Sequence, residues 1–240
     1  MKNKLVVITG ASSGIGMETA RKLSAEGYSL LLLARRIEIL ESMKLPNTLC
    51  KKVDVTDAET FKNAIVEAES LYGKVDCIIN NAGVMLLGDA SNQSPAEWKH
   101  MFDVNVLGLL NGISAVLSDM KERKTGTIIN ISSIAGRKTF PGHSVYCGTK
   151  FAVHAMTENI REEVSSSDVR CITIAPGAVE TELLSHTTSD AIKESYTEWK
   201  ESMGGVLNPK DIAGAISYAY NQPQNVCVRE VVIAATRQEP

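Results

Sequence analysis

The sequence has no excess of basic charge. Its 240 residues include 25 lysines and arginines against 28 aspartates and glutamates, a formal net charge of −3, with no lysine- or arginine-rich block. A nucleic-acid partner is therefore not expected. Metal-site spacing is missing as well. The five cysteines (Cys50, Cys77, Cys147, Cys171, Cys227) contain no CxxC pair, and His100, His143, His154 and His186 are scattered. Neither a zinc centre nor a disulfide framework is expected. Met1-Lys2-Asn3-Lys4 leads straight into Leu5-Val6-Val7-Ile8, an apolar run too short for a signal peptide or a membrane span, so a cytoplasmic protein with no membrane partner is expected. No internal repeat, low-complexity tract or linker divides the chain. With 44% hydrophobic residues there is enough material for one substantial core, and a single domain over 1–240 is expected.

What is present is an alternation of short apolar runs with helical patterns. Strands are predicted over Leu5–Thr9, Ser29–Leu33, Thr48–Val53, Val75–Ile79, Gly126–Ser132, Val169–Ile174 and Val226–Ala234. Helices fall between them. Asp57 is placed to cap one running toward Tyr72, and Ser94-Pro95-Ala96-Glu97 has the serine, proline and glutamate of a capping box at the head of a helix reaching about Lys121. Another carries residues 146–150 to about Val164, and Asn208-Pro209-Lys210-Asp211 opens a last one to Asn221. Repeated strand and helix imply a Rossmann-type, doubly wound parallel sheet of about seven strands with helices on both faces. The polar stretch Glu182–Gly205, with Leu184, Tyr196, Trp199 and Met203 as a sparse apolar face, reads as a lid over a substrate or a plain surface hairpin.

The first strand runs into Gly10-Ala11-Ser12-Ser13-Gly14-Ile15-Gly16 and then a helix. Glycines allow a tight turn and close approach of a ligand, and free amides at a helix start favour a phosphate, so a pyrophosphate is the natural occupant. The second strand ends in Ala34-Arg35-Arg36. In NAD-binding units an acid about 20 residues past the glycines holds the ribose 2′-hydroxyl, whereas an arginine accommodates a 2′-phosphate. Two arginines and no acid favour NADP(H) over NAD(H). Asp54-Val55 and Asn80-Asn81-Ala82-Gly83 follow the third and fourth strands at the edge where ligands gather. The asparagines are expected both to stitch strands and to touch the ligand.

Tyr146 and Lys150 stand four apart on a predicted helix, so the ammonium can lie close to the phenol and favour phenolate. The pair Tyr196 and Lys200 repeats that spacing but lacks what Tyr146 has: Ser133, thirteen residues upstream at the end of a strand. Asn105 is the remaining oddity, an amide among apolar neighbours that needs hydrogen-bond partners.

Thr9-Gly10-x-x-x-Gly14-x-Gly16, Asn80-Asn81-Ala82-Gly83, Asn105, Ser133, Tyr146-x-x-x-Lys150 and Pro176-Gly177, taken in order, resemble the short-chain dehydrogenase/reductase family over essentially the whole chain. Pro176–Thr181 and Arg229–Gln238 resemble its branch of bacterial NADP-dependent serine and 3-hydroxy acid dehydrogenases. The resemblance implies that Gly10, Ser12, Ser13, Gly14, Ile15 and Gly16 form the pyrophosphate turn. Arg35 and Arg36 would meet the 2′-phosphate, and Asp54 and Val55 would border the adenine. Asn81, with Ala82 and Gly83, would approach the nicotinamide-side ribose; Val179 and Thr181, after Pro176 and Gly177, would contact the nicotinamide amide. It further implies Tyr146 as acid/base, Ser133 as holder of the substrate oxygen, Lys150 as ribose ligand that lowers the Tyr146 pKa, and Asn105 as anchor of a relay water. The expected activity is interconversion of a small alcohol or hydroxy acid and its carbonyl form, by a homotetramer or, failing that, a dimer. Rival expectations are a non-catalytic NADP-binding regulator or scaffold, a broad carbonyl or 3-oxoacyl reductase, and a nucleotide-sugar epimerase, for which the 64 residues after Pro176 leave little room.

Overall fold

The computed structural model describes residues 4–238. In chain order it forms β1 (Leu5–Thr9), α1 (Gly14–Ala25), β2 (Ser29–Ala34), α2 (Ile37–Ser42), β3 (Thr48–Lys52), α3 (Ala58–Tyr72), β4 (Val75–Asn80), α4 (Pro95–Phe102), α5 (Gly108–Arg123), β5 (Gly126–Ile131), α6 (Ser144–Glu163), β6 (Val169–Pro176), α7 (Asp190–Ser202), α8 (Pro209–Tyr220) and β7 (Glu230–Ile233). The strands make one sheet in the order β3-β2-β1-β4-β5-β6-β7, every pair parallel. The period-two side-chain alternation sorts each strand's apolar residues onto two faces. Leu5, Val7, Leu31, Leu33, Ile78 and Ile128 pack against α3, α5 and α6 through Phe61, Ile65, Ile113, Val116 and Val153. Val6, Ile8, Leu30, Leu32, Ile79 and Ile129 pack against α1 and α8 through Ala20, Leu23, Ile212 and Ile216. Chain order reverses between β1 and β4, which leaves a crevice at their C-terminal ends.

The predicted caps form: Asp57 accepts from the Thr60 amide, and Ser94 with Glu97 and Asn208 with Asp211 close capping boxes. The expected single helix from Ser94 to about Lys121 is interrupted by a π turn over Asp103–Leu107, between α4 and α5. That turn lets Asn105 face inward, and Gly108 follows it because a Cβ there would stand 2.6 Å from Val55 Cγ2. The combined Pro95–Arg123 segment is the one described helix long and apolar enough to cross a membrane, and half of its apolar window is buried within the fold.

The seventh strand is shorter than the predicted Val226–Ala234. The buried Arg170 guanidinium donates to the carbonyls of Tyr220, Gln222 and Val226, so the chain wraps that side chain before pairing with β6 at Thr173 and Glu230. α2 went unpredicted, its six residues being too few to show a period. Glu182–His186 is a short 3-10 turn, and α7 follows it within the stretch read as a lid.

Candidate active site

β1 ends in a turn built by its neighbour. The Asn81 side chain donates to the carbonyls of Thr9 (2.9 Å) and Gly10 (3.2 Å), while Thr9 Oγ1 accepts from the amides of Asn81 (2.9 Å) and Ala82 (3.0 Å). Gly10 has φ +64°, and a Cβ there would lie 2.8 Å from Ala82 Cα, so no other residue fits this turn. Gly14, at φ +49°, faces Thr181 across the cleft; its Cβ would stand 2.9 Å from Thr181 Cγ2. Gly16 serves packing instead, since a Cβ there would meet the Gly10 carbonyl at 2.5 Å. The N-cap Ser13 makes no side-chain cap bond and the first turn of α1 has no acid, which leaves its amides available to an anion.

At one end of the cleft Arg36 donates to Ser12 Oγ (3.3 Å) and to Glu182 (2.9 Å), the first residue of the 3-10 turn that precedes α7. Asp54 accepts from Thr56; partial burial works against its charge, but the Thr56 bonds and Arg35 hold the carboxyl below its ordinary pKa. At the other end Val179 is positioned by pairing with Leu207, and Thr181 accepts from the Leu183 amide.

Two elements deliver the candidate reactive groups. Ser133 follows β5, its Oγ accepting from the Ala135 amide (3.1 Å) and lying 3.4 Å from the Pro176 carbonyl. On α6, Tyr146 and Lys150 are both buried. The Lys150 ammonium donates to the Ile131 carbonyl (3.0 Å) and lies 5.8 Å from the centre of the Tyr146 ring. Burial pushes the Lys150 pKa down to about 8. Burial likewise pushes the Tyr146 phenol up, with a hydrogen bond from Ser133 partly opposing it. Loss of hydration thus dominates the Tyr146 pKa, and the Lys150 ammonium directs a proton at a backbone carbonyl.

Asn105 is buried in the π turn between α4 and α5. Its amide clamps Val84, accepting from the Val84 N–H (2.8 Å) and donating to the Val84 carbonyl (2.9 Å), and it also donates to Thr149 Oγ1 (3.1 Å). Thr149 in turn donates to the Tyr146 carbonyl (2.7 Å). Thr149 was missed by sequence reasoning, although a polar residue on the inner side of the Tyr146 turn was a usable signal. Glu182 had none, lying 146 residues from Arg36.

A cavity of about 910 Å³ joins these parts. Its walls contain Gly10, Ser12, Ser13, Gly14, Ile15, Arg35, Arg36, Asp54, Val55, Asn81, Ala82 and Gly83 on the β1–β4 side, and Ser133, Tyr146, Lys150, Pro176, Gly177, Val179 and Thr181 on the other. Gly16 and Asn105 stand behind the wall. The Asn81 side chain is committed to the glycine turn. No cluster of three metal-ligating side chains occurs among the described residues.

Comparison with known proteins agrees with this geometry. The profile of a family described as short chain dehydrogenase matches residues 4–192. An uncharacterized oxidoreductase of Staphylococcus saprophyticus is 42% identical over 244 residues, covering 99% of this chain and 98% of that protein. The closed form of a serine dehydrogenase complexed with NADP+ superposes with a TM-score of 0.92 at 28% identity, over 98% of this chain and 96% of the other. An alcohol dehydrogenase from Thermococcus sibiricus complexed with 5-hydroxy-NADP gives 0.86 at 28% identity, over 99% and 98%.

Proposed function

The chain belongs to the short-chain dehydrogenase family, an oxidoreductase fold, and on that premise we propose that it interconverts a small alcohol and its carbonyl form with NADP(H). The observation that carries the proposal is the single cavity that holds Tyr146, Ser133 and Lys150 together with the glycine turn and Arg35 and Arg36. A glycine-lined turn that a Cβ would fill, uncapped amides at α1 and two arginines beyond β2 fit a dinucleotide with a 2′-phosphate. The NADP complexes of two structural neighbours support the same choice.

Bound nicotinamide supplies the hydride. The protein's own task is the substrate oxygen. Ser133 and Tyr146 aim hydroxyls at it, and these donors act most strongly as it becomes negative during reduction. Tyr146 gives up its proton as the alcohol forms and regains one in the reverse direction. Lys150 keeps a positive charge beside the phenol, and Asn105, through Val84 and Thr149, holds the floor of the site and the Tyr146 turn in register.

Residues 182–205 act as a lid. Thr187 fastens its start, accepting from the Leu87 amide and donating to the Met85 carbonyl. The exposed large apolar side chains, among them Phe102, Leu107, Phe151, Tyr218, Val226 and Val232, are those a homotetramer would cover.

Fluorescence titration with NADPH and NADH tests the cofactor assignment. NADPH binds more tightly, and Arg35→Ala together with Arg36→Ala abolishes the difference. Failure of either nucleotide to bind would leave the cavity without its cofactor and the proposal without its basis.

A further inference from the structure

Past Tyr146, the cavity continues beneath the lid, where rings and alkyl groups line it beside Ser195 and Lys200. Phe140 and His143 come from the loop before α6, Tyr196 and Trp199 from α7. They form a row, with ring centres 5.7 Å apart for Phe140 and His143, 6.5 Å for His143 and Tyr196, and 5.2 Å for Tyr196 and Trp199. His143 donates from Nδ1 to the Pro141 carbonyl (2.7 Å), and burial lowers its pKa, so it stands here as a neutral ring.

A hydroxy-acid substrate needs a cation for its carboxylate, and the cations near this end have partners. Lys200, the one that lines this part of the wall, donates to Glu180 at 2.8 Å; its side chain is 17% exposed and that of Glu180 is 66% exposed. Lys193 pairs with Asp190 at 3.0 Å, Arg137 with Glu230 at 2.5 Å, and Lys138 sits 5.6 Å from the Phe140 ring centre. A substrate carboxylate would therefore surrender its hydration against apolar walls while competing with Glu180 for one ammonium, and Asp89 at the rim adds a repelling charge.

We infer that the site takes uncharged carbonyl compounds and alcohols with an apolar or aromatic body, and that Glu180 sets this choice by neutralising Lys200. The inference rests on the oxidoreductase proposal and narrows its substrate class. Glu180 acts through Lys200 and does not touch the reacting atoms. Because Glu180 is well hydrated, the pair is weak by itself. Its removal should shift selectivity by a small factor and leave reduction of neutral substrates intact.

The test is reduction of acetoacetate and levulinate with NADPH, each beside its methyl ester, by the wild type, Glu180→Gln and Lys200→Met. The wild type is expected to show kcat/KM at least about ten-fold higher for the esters, a factor of the size expected for burying a poorly matched charge. Glu180→Gln should narrow that ratio by about five-fold, through KM of the acids, while the ester values and Tm hold. Lys200→Met should widen it. Equal or better use of the acids by the wild type would overturn the inference, as would a ratio that neither substitution moves. NADPH titration run alongside separates the two levels. A protein that binds NADPH and reduces the esters without discriminating against the acids loses only this inference, whereas one that binds no nucleotide loses the oxidoreductase proposal and this inference with it.

Discussion

Lys150 fixes a pH dependence of stability that can be worked out from its surroundings. Its ammonium is buried beneath Tyr146 and its pKa falls to about 8, against an ordinary value of 10.5. Below about pH 8 both folded and unfolded chains hold the proton, and the buried charge costs the folded state about 3 kcal/mol relative to an exposed lysine. Between about pH 8 and 10.5 the unfolded chain binds more protons than the folded one, so stability rises with pH through that window. Raised pKa values at Tyr196 and at Cys77, Cys147 and Cys171 act with the opposite sign above about pH 9, because there the unfolded chain releases its protons first. A bare stability curve mixes these contributions. The difference between the wild type and Lys150→Met does not, since the other groups are common to both. In urea unfolding of the cofactor-free proteins, the stability advantage of Lys150→Met, less any pH-independent offset from the Ile131 carbonyl left without its donor, should shrink by about 3 kcal/mol from about pH 7.5 to 10.5. A constant difference, or one that grows with pH, would refute a buried, charged Lys150.

Four further outcomes are expected. Tyr146→Phe keeps NADPH affinity within a few fold and loses nearly all turnover; parallel losses in both, read by titration and initial rates, would contradict its role. Asn105→Ala strands the Val84 amide and carbonyl in the interior and should cost about 2–5 kcal/mol by urea unfolding; a cost under about 1 kcal/mol would show the clamp to be replaceable by water. Gly10→Ala forces a Cβ against Ala82 at a positive φ and should weaken NADPH binding at least about ten-fold in titration, with a stability loss of about 1–3 kcal/mol. Sizing chromatography should show a tetramer of the 26.0 kDa chain, and Leu107→Glu should break it into smaller species; a wild-type monomer would leave the exposure of Phe102, Leu107 and Phe151 unexplained.

Periodicity and caps made the fold legible. The apolar runs of β1, β2, β4 and β5 carry no competing signal, and the Ser94 and Asn208 boxes mark helix starts by side-chain chemistry alone. The π turn at Asp103–Leu107 was invisible, because an inserted residue changes which way Asn105 faces without altering the helical composition around it. The start of β7 was misread for a related reason: Val226 and Cys227 look like strand, but Arg170, distant in sequence, claims the Val226 carbonyl that would have paired. Contacts between segments far apart in sequence, such as Arg36 with Glu182, lie outside what local pattern can express.

The Tyr146 and Lys150 spacing predicted which groups meet, yet it left the sign of their mutual effect to the surroundings. Four residues on a helix guarantee proximity and say nothing of hydration. In the folded protein the same burial raises the phenol and lowers the ammonium, so each is pushed toward its neutral form. At neutral pH the lysine, with a pKa of about 8, still keeps its proton, and the tyrosine keeps its own firmly. The resting pair is thus a neutral acid beside a cation, the protonation state that reducing a carbonyl requires. Oxidising an alcohol requires that the phenol first lose its proton, and the nearby ammonium, now held by the Ile131 carbonyl, favours that loss. Any ligand that draws Lys150 away from that carbonyl and toward the phenol would shift the balance, which makes the Ile131 hydrogen bond the contact through which cofactor binding can tune the acid.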